Sequence, residues 1–292
     1  MDTMRDKDER ALSLPAFKST PGAVAIDLDG TLLNSRSQLS ERTLEAIEKC
    51  IAQGIPIVIA TSRPARTTRR ILDEELANRC SLVLMNGAVG RAAPPLSGII
   101  REALPSAVIK DIIHLTLNME PEARVTLELD GYEFGTNRPR DPDELWKVNA
   151  ATPDMQLSLE QALFGSPSKI AVGGLDRDLS IIADEISRKF GDSVSVVPAN
   201  ERTFLNITSA RATKPETLRR LLGSRQISMS DVVAIGDDTP DVGMLVACGI
   251  PIAVANAVPE VMAASKYQTA SNDDDGVAIV LERITSLSLS TG

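Results

Sequence analysis

The sequence predicts a doubly wound parallel α/β sheet with an inserted α/β domain, and three observations predict it. Ala23–Ile26, Ile57–Ala60 and Leu82–Met85 are apolar runs without two-residue alternation, as in parallel strands covered on both faces. Helix-like segments separate them, and a β-α-β-α-β order implies right-handed crossovers in one sheet. The same texture resumes after Lys214, so the core is discontinuous in sequence. A length of 292 residues accommodates two domains or one large α/β unit.

Each element has a local reason. The polar residues 1–20 read as a disordered arm, and the closing TSLSLSTG as a frayed tail. Ser40 can cap a helix whose buried stripe is Leu44, Ile47 and Ile51, with Gly54 ending it in the left-handed conformation. Pro64 stands where a first helical residue would, opening a helix to about Ala77. Beyond Asn86-Gly87 the pattern changes: Val125, Leu127 and Leu129 alternate, Asp130-Gly131 suggests a two-residue hairpin turn, and a strand, helix, strand series spans Lys169 to Val197. The predicted inserted domain is therefore 88–207, between core segments 21–87 and 208–292. The second core segment offers a helix to Leu222, a strand at Val232–Ile235, a helix to Ala247 and a short strand at Ile252–Val254.

Forty acidic against 31 basic side chains give a net charge of −9, which repels phosphate backbones and anionic membranes. Neither nucleic acid nor a membrane is an expected partner. The first twenty residues hold no apolar stretch of signal-peptide length, and no later run approaches the ~18 residues that span a bilayer. Cys50, Cys80 and Cys248 lack CxxC spacing and are odd in number, which fits buried thiols in a reducing compartment, the cytoplasm. With aromatics at 3%, the core is aliphatic.

Asp27-Leu28-Asp29-Gly30-Thr31 begins at the carboxyl end of the first strand, the edge at which open α/β sheets place ligands. Residues two apart face one side, so Asp27 and Asp29 can converge on one cation or reacting group, with Gly30 permitting a sharp exit. Alone, such a motif is equally a turn. Thr61-Ser62 follows the second strand and precedes a helix, offering a hydroxyl and free N–H groups, although capping also explains it. Lys214 opens another helix and by itself reads as a solvated lysine. Gly236-Asp237-Asp238-Thr239-Pro240-Asp241 supplies more acids at a strand end than one N-cap by Asp238 or Thr239 needs.

The chemistry that needs this set is phosphoryl transfer through Mg²⁺, which prefers hard oxygens, while the single His114 excludes a multi-histidine site. A carboxylate can attack phosphorus only if anionic repulsion is relieved, as a metal and a lysine would do. Asp27 is the expected nucleophile and Asp29 the proton shuttle. Thr61, the Ser62 N–H and Lys214 are expected to hold the equatorial oxygens.

DLDGTLL, TSR, a helix-opening lysine and GDxxxD, in this order, resemble the haloacid dehalogenase superfamily of phosphohydrolases. Ile252–Ala257, Asn272–Gly276 and Val277-Ala278 are similar to its Cof-like branch, whose large α/β cap lies between the second and third motifs. The resemblance implies a Mg²⁺ held by Asp27, the backbone carbonyl of Asp29 and Asp237, with Asp241 supporting the metal waters. It also implies phosphate contacts from the Leu28 backbone, Thr61, Ser62 and Lys214. The sequence departs from the family at Ser62, where glycine is usual, and at Pro240, where Cof-like members carry an asparagine whose amide reaches the phosphate region. A proline after a Thr239 cap suits the fold but offers no amide, so altered preference or a lower rate is expected.

Arg63 at the entrance and Asn86 at the third strand's end are candidate substrate contacts, although Asn86-Gly87 is equally a turn. Arg66, Arg69 and Arg70 read as a solvated helical face, His114 as structural and Trp146 as an anchor of the inserted domain. The expected activity is hydrolysis of a small phosphorylated metabolite, such as a sugar phosphate, through an aspartyl-phosphate. The alternatives are a phosphomutase and a phosphosugar-binding protein impaired in turnover.

Overall fold

The computed structural model describes residues 13–199 and 201–289. It comprises two compact units, one made of the residues up to Ile55 with those from Ser230 onward, the other Pro56–Met229. The chain begins with β1 (Ala23–Asp27) and α1 (Glu41–Ala52). The second unit opens with β2 (Ile57–Ala60), α2 (Ala65–Leu72), α3 (Glu74–Arg79), β3 (Ser81–Leu84), β4 (Val89–Arg91) and β5 (Ile99–Arg101). It continues through α4 (Ser106–Met119), β6 (Arg124–Glu128), β7 (Phe134–Thr136), α5 (Pro142–Asn149), β8 (Gln156–Ser158) and α6 (Leu159–Phe164). It closes with β9 (Lys169–Gly173), α7 (Ser180–Phe190), β10 (Val194–Ala199), β11 (Phe204–Ser209) and α8 (Lys214–Gly223). The first unit is completed by β12 (Val232–Gly236), α9 (Val242–Ala247), β13 (Ile250–Ala253), α10 (Pro259–Ala264), β14 (Tyr267–Gln268) and α11 (Gly276–Thr285).

In the first unit β1, β12, β13 and β14 are consecutive parallel neighbours. Every residue of β1 and β12 is buried, which is why neither alternates. Ser40 caps α1 by accepting from the Thr43 amide, and Gly54 lies past its end at φ +76°. The buried line is Thr43, Ala46, Ile47 and Cys50, with Leu44 and Ile51 half-buried at its margin. The expected stripe is rotated toward Thr43, whose buried hydroxyl lies 3.0 Å from the Ser40 hydroxyl. Of the expected arm, Ser13 exchanges two backbone hydrogen bonds with Gln268, and residues 1–12 lie outside the described residues. Of the tail, a 3₁₀ turn covers Ser286–Leu289 and the rest lies outside.

In the second unit β2 and β3 pair in parallel, and the hairpin β4–β5 adds to β3 antiparallel. A separate six-stranded sheet has the order β10-β11-β9-β6-β7-β8. Its core joins Ile112 and Ile113 of α4, Ile182 and Ile186 of α7, and Val125, Leu127, Ile170 and Val172 of the strands. The series expected from Lys169 to Val197 is β9, α7 and β10. The helix expected to run from Pro64 to Ala77 is two helices: Asp73 sits at φ +63° and caps α3 by accepting from the Leu76 amide. Pro64 is the N-cap of α2 rather than its first residue. Residues 129–133 connect β6 to β7, and because the Leu129 amide still donates to the Glu133 carbonyl, the turn itself is 130–132, one residue longer than expected.

Arg66 is 5% exposed, not part of a solvated face. Its Nη1 and Nη2 each meet a Glu128 carboxylate oxygen at 2.6 Å, Nε donates to the Asn149 carbonyl at 2.9 Å, and the guanidinium lies 4.4 Å over the Phe134 ring. The helix turns this residue inward because α2 packs where the β6–β7 loop also runs: the Arg66 amide donates to the Gly131 carbonyl at 3.0 Å. Arg69 is half-buried and pairs with Glu74, whereas Arg70 is exposed and donates to the Trp146 carbonyl. His114 is exposed on α4 rather than packed. The three cysteines are free and buried, and burial pushes the Cys50 and Cys80 thiols up to about 12. Among the described residues no helix is long and apolar enough to cross a membrane.

A buried, doubly hydrogen-bonded ion pair resists loss of one partner far more than loss of both. Arg66→Met is expected to destabilise the protein by about 3–5 kcal/mol in urea unfolding, and Arg66→Met with Glu128→Leu to recover only part of that loss, because the buried Lys169 faces the same carboxylate.

Candidate active site

The first unit holds an acidic cluster. Register places Ile26 beside Ile235, so β1 and β12 end together and deliver Asp27 and Asp237 to the same rim. Asp27 is 7% exposed and Asp241 only 1%. Oxygen atoms of Asp27, Asp237 and Asp241 lie within 4.8 Å of one another. At this spacing each pair of carboxylates repels by about 3.5 kcal/mol at an effective dielectric of 20, so the arrangement has to be imposed by the fold.

Several contacts impose it. Asp241 Oδ2 accepts from the amides of Asp237 and Asp238 at 3.1 and 3.2 Å, curling the loop after β12 around its own carboxylate. The cap of the 3₁₀ turn Thr239–Asp241 is Asp238, not Thr239, since Asp238 Oδ1 accepts from the Thr239 amide. Pro240 consequently occupies the second position of that turn, where its missing N–H goes unneeded by the backbone. Thr31 Oγ1 donates to Asp237 Oδ1 at 2.6 Å. Gly30 has φ +79°, and a Cβ there would lie 2.3 Å from Asp237 Oδ2. Only glycine meets both demands.

The loop after β1 is further fastened by the segment from Asn256 to Asp275. Asn256 Nδ2 donates to the Gly30 carbonyl at 2.8 Å, and its Oδ1 accepts from the Asn272 amide at 2.9 Å. Asn272 Nδ2 donates to the Leu33 carbonyl, Asp273 accepts from the Ser35 amide, and Ser40 donates to Asp275. In the sequence these residues stand out only as family-like letters; in the structure they hold the loop after β1.

Of the remaining candidates, Leu28 and Asp29 belong to the first unit, and Thr61, Ser62, Arg63, Asn86 and Lys214 to the second. Thr61, 1% exposed, extends the β2–β3 ladder through its amide to the Val83 carbonyl, and its Oγ1 accepts from the Arg63 amide at 3.1 Å. The Asn86 amide donates to the Thr61 carbonyl and the Met85 amide to the Arg63 carbonyl, each at 3.1 Å, so the loops after β2 and β3 are bound together. Met85, Asn86 and Gly87 all have positive φ, the conformation that asparagine and glycine tolerate best. Asn86 is 8% exposed, and among the described residues its Oδ1 has no hydrogen-bond partner. A Cβ on Gly87 would lie 2.3 Å from the Thr213 carbonyl, and Thr217 Oγ1 donates to the Gly87 carbonyl at 2.6 Å, which brings the start of α8 against this loop. Lys214, at that helix start, is 4% exposed and not a solvated lysine. Leu28 is fully buried and Asp29 half-buried, the latter bridging to Leu33.

The acidic donor set is all oxygen, with neither histidine nor cysteine, and fits Mg²⁺, which takes carboxylate, carbonyl and water oxygens at about 2.1 Å.

Residues 24–281 match the model of the haloacid dehalogenase-like hydrolases, and the chain belongs to that family, in its Cof-like branch. The 5-amino-6-(5-phospho-D-ribitylamino)uracil phosphatase YwtE of Bacillus subtilis is 28% identical, with 90% of this chain and 98% of that protein covered. A haloacid dehalogenase-like hydrolase of Bacteroides thetaiotaomicron superposes with a TM-score of 0.76 at 25% identity, over 90% of this chain and 99% of the other. A sugar phosphatase of subclass IIB shares the fold at a TM-score of 0.71 and 20% identity, over 89% and 97%.

Gly30 and Gly54 form a natural comparison, since both have positive φ but nothing lies within 4 Å of a Cβ at Gly54. Gly54→Ala is expected to lose about 1–2 kcal/mol, the backbone strain alone. Gly30→Ala should lose clearly more in the same urea titration, because the Asp237 carboxylate has to move.

Proposed function

We propose that this chain is a Mg²⁺-dependent phosphatase of a small phosphorylated metabolite, working through an aspartyl-phosphate intermediate. The observation that carries the proposal is the convergence of Asp27, Asp237 and Asp241 at the carboxyl ends of two neighbouring parallel strands. Family membership supports it, as do relatives that are phosphatases. YwtE's substrate carries its phosphate on a ribityl chain, which supports a phosphorylated sugar or polyol as the substrate class.

In this reading Asp27 attacks phosphorus while Asp29 protonates the departing oxygen, and Asp29 then takes the proton of the water that hydrolyses the acyl phosphate. The Leu28 amide, the Thr61 hydroxyl, the Ser62 amide and the Lys214 ammonium are assigned to the phosphoryl oxygens, and Arg63 and Asn86 to the rest of the substrate. Asp27, the Asp29 carbonyl, Asp237 and Asp241 would hold Mg²⁺, which supplies charge neutralisation between the anionic nucleophile and the anionic phosphate. Pro240 contributes no amide, so the proposed consequence is a lowered rate or altered preference with the other donors intact. Core chemistry is assigned to 21–87 and 208–292, and substrate choice to 88–207. The proposed compartment is the cytoplasm, supported by the free, buried thiols.

The test is hydrolysis of p-nitrophenyl phosphate and sugar phosphates with and without Mg²⁺ in ¹⁸O-water. Expected are turnover that needs Mg²⁺, one solvent oxygen in each released phosphate, and loss of at least about a thousandfold in Asp27→Asn. Full activity in that variant contradicts the proposal, and phosphate migration without label identifies a mutase instead.

A further inference from the structure

Lys169 begins β9, lies opposite Glu128 of β6 and Thr208 of β11 in the strand register, and is 5% exposed. Its Nζ donates to the Ser62 carbonyl at 3.2 Å and stands 5.9 Å from the Phe204 ring. Among the described residues the one carboxylate facing it, Glu128, already has both oxygens bound by Arg66. Two cations therefore share a single anion in a buried place. Such an arrangement is unfavourable for stability, which directs attention to what the ammonium does at the carbonyl it touches.

That carbonyl belongs to the same peptide group as the Arg63 amide, which donates to Thr61 Oγ1 at 3.1 Å. An ammonium on the oxygen side polarises the peptide and strengthens its N–H as a donor. The N–H in turn occupies an acceptor position of the Thr61 hydroxyl, so that the hydroxyl's proton points elsewhere. A threonine held this way is committed to donating, as an anionic oxygen requires.

We propose that Lys169 is a positioning residue for phosphate binding, fixing through the Ser62 carbonyl the loop from which Thr61 and Ser62 donate to the phosphoryl group. The role rests on the phosphate contacts assigned to those two residues above. It places control of the loop on a strand of the six-stranded sheet, so a residue that touches neither phosphate nor metal sets phosphate affinity.

The charged groups facing Lys169 are Glu128 from β6 and Arg66 from α2; β11 presents Phe204 and Thr208, and the Ser62 loop presents its carbonyl. Burial lowers the lysine to about 8, with Glu128 opposing and Arg66 adding to the shift. The ammonium is thus present at pH 7 and largely lost by pH 9, where the neutral amine is a weaker donor.

The experiment measures the inhibition constant of inorganic phosphate against Mg²⁺-supported p-nitrophenyl phosphate hydrolysis at pH 7 and pH 9, in the wild type, Lys169→Met and Lys169→Arg. Comparison with Lys169→Arg at each pH cancels the titration of phosphate itself, since a guanidinium does not titrate here. Lys169→Met is expected to raise this constant and KM about tenfold at pH 7 with a smaller change in kcat, while Lys169→Arg restores the pH 7 value. Relative to Lys169→Arg, the wild type should lose about tenfold in phosphate affinity by pH 9. Unchanged constants in a Lys169→Met protein that melts as the wild type does would overturn the role. So would identical pH dependence in the wild type and Lys169→Arg, a comparison that decides even if Lys169→Met does not fold. A wild type that neither hydrolyses nor binds phosphate overturns the proposed function and this role together, whereas turnover with constants indifferent to Lys169 overturns the role alone.

Discussion

Three carboxylates confined within 4.8 Å, two of them buried, repel one another, and holding them there is the constraint that organises the first unit. Parallel pairing of β1 with β12 delivers two of them to one rim, and the third is fixed by accepting two main-chain amides. The restraints are sheet register, amide donors and a glycine that no other residue can replace, which is the kind of preorganisation that electrostatic catalysis requires.

The second unit presents the inverse electrostatic problem, two buried cations over one anion. Arg66 and Glu128 satisfy each other in bidentate fashion, and the leftover ammonium of Lys169 is directed to a main-chain carbonyl. In both units a stability-reducing charge is anchored to backbone beside residues assigned to chemistry. Backbone anchoring has a functional reason: a peptide group cannot change rotamer, so the charge it fixes stays where the reaction needs it.

Much of this was legible in the sequence for physical reasons. Unbroken apolar runs marked β1, β2, β3 and β12, and the acids at the carboxyl ends of β1 and β12 marked the rim. The Ser40 cap and the Gly54 ending were equally plain, because capping is local chemistry. What escaped depended on partners distant in sequence. Arg66 looks solvated in its own helix, since Glu128 lies 62 positions away. Asp73 broke a helix with a positive φ that no periodicity reveals. Asp238 and Thr239 are both adequate caps, and only the placement of Asp241 selects the first. For Lys169 a signal did exist: it is a charged residue at the head of an otherwise apolar strand, where burial demands a partner.

The account depends most on the three clustered carboxylates acting together as a cation site. Electron paramagnetic resonance of added Mn²⁺ tests this directly. One Mn²⁺ should bind per chain, be displaced by Mg²⁺, and bind at least about tenfold more weakly to Asp237→Asn. Failure of the wild type to bind Mn²⁺, or equal binding by the folded Asp237→Asn variant, would contradict it.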